Sequence, residues 1–161
     1  MFTISSVHVP EEKAKVCDAI LHALPDWFGI EASIAEYREA VQPIPFWAAY
    51  DANGPIGFIA LKMHTPYAPE ICVMGILKQY HRLGIGRKLV ETCEAFCHEN
   101  NTEYLTVKTL DCSRESQSYA KTRQFYMSMG FRPLEVFPLH WDAANPCLFL
   151  AKYLPAFPQS I

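Results

Sequence analysis

The 161-residue chain sets 14 Lys and Arg against 17 Asp and Glu, for a formal net charge of −3, and half of its residues are apolar. That size suits one domain, 1–161, with a buried core, and the mild acidity argues against nucleic-acid partners, which need a basic surface. No apolar run approaches the roughly 18 residues of a membrane span, and the opening MFTISSVHVPEEK lacks the layout of a signal peptide, so the expectation is a cytoplasmic protein with no membrane partner.

Phe2–Val9 reads as a strand. Pro10-Glu11-Glu12 then opens a helix to about Leu24, with proline early and acids in the first turn. LPDWFG breaks it, and Glu31–Val41 reads as a second helix with Ile34, Tyr37 and Val41 on one side. Phe46–Tyr50 and Ile56–His64 flank DANGP, where Asn53-Gly54 is a hairpin signal. Glu70–Leu77 is a mostly apolar strand of the central type. Gly84–Asn100 is a helix, Tyr104–Thr109 a buried strand, and Glu115–Met129 a helix ended by Gly130. Phe131–His140 and Cys147–Tyr153 close the chain as strands. This order implies an α/β chain of the α+β type, a mixed sheet with helices on both faces.

Six cysteines, at 17, 72, 93, 97, 112 and 147, form no CxxC pair. Cys93, Cys97 and His98 can be drawn around zinc, but free thiols in a reduced core are the plainer reading, and no metal is expected. His140-Trp141-Asp142 looks like a ligand cluster, yet neighbours on a strand point to alternate sides.

The stretch QYHRLGIGRKLV, residues 79–90, is unusual. It follows a strand, places Gly84 and Gly86 where a helix starts, and adds His81, Arg82, Arg87 and Lys88. A helix start leaves N–H groups unpaired and carries partial positive charge, so an anion satisfies both. Glycine lets phosphate oxygens approach the backbone. A P-loop needs GxxxxGK[ST] and a dinucleotide fingerprint needs GxGxxG; the chain has neither, and Leu89 occupies the third glycine position. A solvated structural turn is the competing reading.

EICVMGILKQYHRLGIGRKLV resembles motif A of the GNAT superfamily, the acetyl-CoA-dependent N-acetyltransferases, and RQFYMSMGF resembles its motif B, at the family's distance and in its order. The resemblance spans roughly Phe46 to Tyr153. It implies a GNAT fold: a mostly antiparallel sheet of six to seven strands, splayed at its centre, with 46–153 as the coenzyme A core and 1–45 as variable helices on the acceptor side. It implies acetyl-CoA as acyl donor. The pyrophosphate would lie on Arg82, Leu83, Gly84, Ile85, Gly86 and Arg87, with His81 where the family has Gln or Arg. Main-chain groups of Met74, Gly75 and Ile76 would hold pantetheine and the thioester carbonyl. Gly75 fits a splay or bulge there, or is small for packing.

The same resemblance suggests roles for two side chains. Glu70 has the spacing to the glycine turn of the glutamate that serves as general base in the histone-acetyltransferase branch; a solvated glutamate is the alternative. Tyr126, in the FY pair, matches the tyrosine that commonly protonates the leaving thiolate; a core aromatic is the alternative. By the family layout, Trp27, Phe28 and Trp47 would wall an acceptor pocket that Trp141 also faces, and Asp26, Glu31 and Glu36 would attract an amine. A last strand left exposed would suit a homodimer. The expected function is acetyl transfer to a small cationic or peptide amine by direct attack. A non-catalytic acyl-CoA sensor is the alternative, and a nicotinamide oxidoreductase is a more distant third.

Overall fold

The computed structural model describes residues 1–156. Eleven elements follow the expected order: strands β1 Thr3–Ser6, β2 Phe46–Asp51, β3 Gly54–Lys62, β4 Glu70–Ile76, β5 Tyr104–Leu110, β6 Arg132–Asp142 and β7 Asn145–Tyr153; and helices α1 Pro10–His22, α2 Glu31–Ala40, α3 Ile85–Glu99 and α4 Gln117–Ser128; a 3-10 turn at Lys78–Tyr80 is added between β4 and α3. The chain is thus α/β, with seven strands and four α-helices among the described residues. The described residues divide into two compact units: Met1–Met63 with Ile71–Phe96, and His64–Glu70 with residues 97–156.

In the first unit the strand order is β1-β2-β3-β4. β1 runs antiparallel to β2, and β2 antiparallel to β3. Alternation along the strands sorts their side chains onto two faces. Phe46 and Ala48 of β2, Phe58 and Ala60 of β3 and Val73 of β4 join Val16, Cys17, Ile20 and Leu21 of α1 and Ile34 of α2 in one apolar core. Trp47, on the opposite side of β2, meets Phe96 of α3 edge to face at 5.3 Å. Helices therefore cover both faces of this part of the sheet. Burial pushes the Cys17 thiol up to about 12, with the Cys72 thiol beside it, in keeping with its role as a small core residue.

Gly75 sits on the α1 face. A methyl there would lie 3.0 Å from Ile20 Cγ2 and 3.3 Å from Leu24 Cδ1 and Phe58 Cε1. Packing alone therefore accounts for a glycine at this place.

The second unit has the order β5-β7-β6 with both neighbouring pairs antiparallel, so β5 and β6 run parallel, joined by α4. Ser116 caps α4 by accepting a hydrogen bond from the Tyr119 N–H at 3.2 Å, and Gly130, at φ +97°, ends it. The last strand, β7, lies inside this group and is not the exposed strand that the sequence suggested. The outer strand is β6, and it leaves Leu134, Val136, Leu139 and Trp141 exposed.

Candidate active site

The glycine turn is built in the first unit. Leu77 N–H donates to the Ile56 carbonyl at 2.9 Å, which fastens the end of β4 to β3. The chain then makes the 3-10 turn and passes through two left-handed residues, Arg82 at φ +63° and Gly84 at φ +84°. α3 begins at once, and Lys88 N–H donates to the Gly84 carbonyl at 3.1 Å. The N–H groups of Ile85, Gly86 and Arg87 precede that bond and form the head of the helix. Arg82, Leu83, Gly84, Arg87 and Lys88 are exposed, whereas Ile85 and Gly86 are buried.

A methyl on Gly84 would meet no atom within 4 Å, so its glycine answers to backbone conformation and leaves open space beside the amides. Gly57 of β3 is different. A methyl there would stand 3.2 Å from the Gly75 carbonyl oxygen, 3.2 Å from Ile76 Cγ1 and 3.5 Å from Ile85 Cγ2. Its bare Cα lets the first residue of α3 close down on the ends of β3 and β4.

Two side chains brace the turn. His81 Nε2 donates to the Ile76 carbonyl at 2.7 Å, and its ring packs edge to face on Trp27 at 5.6 Å. The Tyr80 hydroxyl donates to Asp51 Oδ2 on the β2–β3 hairpin. That bond holds the Asp51 carboxyl below its ordinary range, helped by the Asn53 N–H, and raises the Tyr80 phenol. His81 therefore acts on the turn from behind, through the strand end, while the exposed guanidinium groups are Arg82 and Arg87. Amides at a helix head, open space at Gly84 and two exposed arginines are groups that could hold an anion such as a diphosphate. Met74 and Ile76 are half-buried and Gly75 is buried on the adjoining strand.

Glu70 and Tyr126 belong to the second unit. Glu70 is 9% exposed. Its Oε1 accepts from His64 Nε2 at 2.5 Å and its Oε2 from Lys108 Nζ at 3.0 Å. The loop before Glu70 is tied down firmly. Thr65 Oγ1 accepts from the N–H groups of Tyr67 and Ala68, both at 3.2 Å. The Tyr67 carbonyl accepts from Glu103 and Tyr104 N–H, and the Pro69 carbonyl accepts both the N–H and the hydroxyl of Thr106. Tyr126 is 5% exposed, with its ring 5.3 Å from Phe125 and 5.5 Å from Phe131.

His64 and Lys108 were not singled out from sequence. Lys108 carried a signal: it is the one charged residue in YLTVKTL, a strand read as buried, and a charge there calls for a partner. His64, six residues before Glu70 beyond a Pro-containing loop, carried none.

Trp27, Phe28 and Trp47 do not line one wall. Trp27 and Phe28 both pack on the α1 face, and Phe28 meets Tyr37 at 5.9 Å. Trp47 points to the other face, onto Phe96, so it does not share a wall with them. Trp141, in the second unit, is 43% exposed beside His140. Asp26 pairs with Lys78 at 3.4 Å and Glu31 with His22 at 2.8 Å, so these acids already face cations. Among the described residues no group of three or more His, Cys, Asp or Glu is placed to hold a metal ion, and no helix is long and apolar enough to cross a membrane.

The family model for the acetyltransferase (GNAT) domain matches residues 42–133, more than half the chain. Among solved structures, a putative GNAT-family acetyltransferase from Desulfovibrio desulfuricans superposes with a TM-score of 0.82 at 15% identity, over 96% of this chain and 100% of that one. The ribosomal-protein-S18-alanine N-acetyltransferase of Escherichia coli gives 0.75 at 15% identity, over 100% and 99%. An aminoglycoside 6'-N-acetyltransferase complexed with coenzyme A gives 0.74 at 19% identity, over 98% and 99%. These likenesses extend the shared fold across nearly the whole chain.

Proposed function

Because the chain belongs to the GNAT acetyltransferase family and is thereby an acyltransferase, we propose that it moves an acetyl group from acetyl-CoA to a primary amine by direct attack. The observation that carries this reading is the head of α3, where open space at Gly84 adjoins the amides of Ile85, Gly86 and Arg87. A relative of the same fold complexed with coenzyme A supports the choice of donor. Two acetyltransferases of the same fold are named for a ribosomal-protein alanine and an aminoglycoside as acceptors, which supports an amine acceptor here.

Acetyl-CoA supplies the acetyl group as an activated thioester. In this reading the α3 amides and the Arg82 and Arg87 guanidinium groups bind the diphosphate, and Leu83 flanks it. His81 holds the turn in shape through Ile76. The main chain of Met74, Gly75 and Ile76 lines the pantetheine arm and polarises the carbonyl. An amine is mostly protonated at neutral pH, and Glu70 provides the negative charge that draws its proton away. Tyr126 donates its phenolic proton to the departing sulfur. Trp27, Phe28 and Trp141 contribute to acceptor recognition, and the protein works in the cytoplasm. A homodimer, if formed, uses the outer strand β6.

A thermal-shift panel of acetyl-CoA, longer acyl-CoAs, NAD and ATP, followed by a thiol-release assay over amino acids, polyamines, aminoglycosides and peptide N-termini, tests the proposal. Stabilisation by acetyl-CoA with amine-dependent thiol release is expected. Binding without release across the panel would favour an acyl-CoA sensor, and stabilisation by NAD alone would favour an oxidoreductase.

A further inference from the structure

Within the second unit, a cavity of about 330 Å³ is lined by His64, Ala68, Lys108, Phe137 and Phe149, among others. Its size is at the small end of small-molecule sites. Glu70 is not on its wall, although both of its partners are. The carboxylate that family resemblance nominates as base stands behind an imidazole and an ammonium, each of which already donates to one of its oxygens.

Resting on the acetyltransferase reading, we infer that His64 is the catalytic residue that takes the proton from the acceptor amine, and that Glu70 acts through it as a positioning residue. The side chain of His64 is 41% exposed and that of Glu70 12%, so an incoming ammonium reaches the imidazole first. A carboxylate accepts only, so the contact at 2.5 Å fixes the neutral imidazole as the Nε2–H tautomer. Nδ1 is then the free lone pair, and it has no hydrogen-bond partner among the described residues. In the step, one N–H bond of the alkylammonium breaks and an Nδ1–H bond forms. The products are a neutral amine and an imidazolium, whose charge faces the Glu70 carboxylate; the proton leaves to solvent through the exposed ring.

The mounting is rigid. Thr65, next to His64, closes the loop through its hydroxyl, and Thr106 holds the Pro69 carbonyl. Lys108 fixes the other Glu70 oxygen from β5. The buried Cys147 thiol, pushed up to about 11 by its burial, is close enough to feel both Lys108 and Glu70. Phe137 and Phe149, 6.0 Å apart, give the cavity an apolar side, which suits an amine carried on an apolar or aromatic body.

Two measurements test this. In the thiol-release assay, H64A is expected to lower kcat by at least about tenfold, with partial rescue by added imidazole and unchanged acetyl-CoA affinity by calorimetry. In the free protein, at a pH high enough for the imidazole to be neutral, nitrogen NMR of the His64 ring is expected to show the proton on Nε2 and a bare Nδ1, and E70A to spread the proton over both. Wild-type turnover with equal turnover in H64A, or a bare Nε2 in the wild type, overturns the role of His64 alone. No thiol release by the wild type with any amine overturns the transferase reading and this inference with it.

Discussion

Lys108 Nζ donates to Glu70 Oε2 at 3.0 Å, with both side chains largely withdrawn from solvent. A mid-strand lysine and a strand-entry glutamate thereby make one unit with His64. Replacing Lys108 with methionine keeps much of the stem and removes the charge, leaving a Glu70 oxygen without its donor. K108M should therefore lose about 1–3 kcal/mol of stability. In urea unfolding, the double variant K108M/E70L should recover part of that loss, because no buried carboxylate is then left unpaired.

Gly57 and Gly84 should respond differently to alanine. At Gly57 the new methyl meets a backbone oxygen and two isoleucines, so β4 or the head of α3 must shift. G57A should cost about 1–3 kcal/mol and weaken acetyl-CoA binding by moving the head of α3. At Gly84 there is room but an unfavourable φ, so G84A should cost about 1–2 kcal/mol. It should weaken acetyl-CoA more than it weakens the fold, by filling the space beside the amides. Unfolding curves and calorimetry on both variants check the contrast.

Y126F removes the proposed proton donor while keeping the ring between Phe125 and Phe131. Turnover should fall at least about tenfold with little change in acetyl-CoA affinity. An unchanged turnover number removes Tyr126 from the mechanism and leaves it a core aromatic.

His22 ends α1 and reaches Glu31 at the start of α2, while its Nδ1 donates to the Asp18 carbonyl at 2.8 Å. The Glu31 hydrogen bond, then the Asp18 carbonyl, raise its pKa above the ordinary imidazole value. A raised folded value means that the contribution to stability is fully present below the unfolded pKa and is lost as pH rises through the folded one. Proton NMR should show a lowered His22 midpoint in E31Q. The stability gap between wild type and E31Q should be larger at about pH 5.5 than at about pH 8.5.

The order of elements was legible because burial and turns leave local marks: the apolar runs of β2 and β3 on either side of Asn53-Gly54, and the proline and acids that open α1. Glycines before a helix read correctly as a turn, since φ +84° at Gly84 is a local demand. Contacts across strands were not legible. The family layout groups Trp47 with Trp27, yet strand parity sends Trp47 to Phe96 on the other face. Lys108 and Glu70 are 38 residues apart and meet only through the sheet. His81 looks like a phosphate ligand in the motif, but its Nε2 is bonded to the Ile76 carbonyl.

The most direct test of the account is calorimetric titration of acetyl-CoA into the wild-type protein, with amide NMR mapping of the bound state. The account predicts one site per chain and the largest amide shifts at Gly84, Ile85, Gly86 and Arg87. Absence of binding, or binding that leaves those four amides unmoved while others shift, would contradict it.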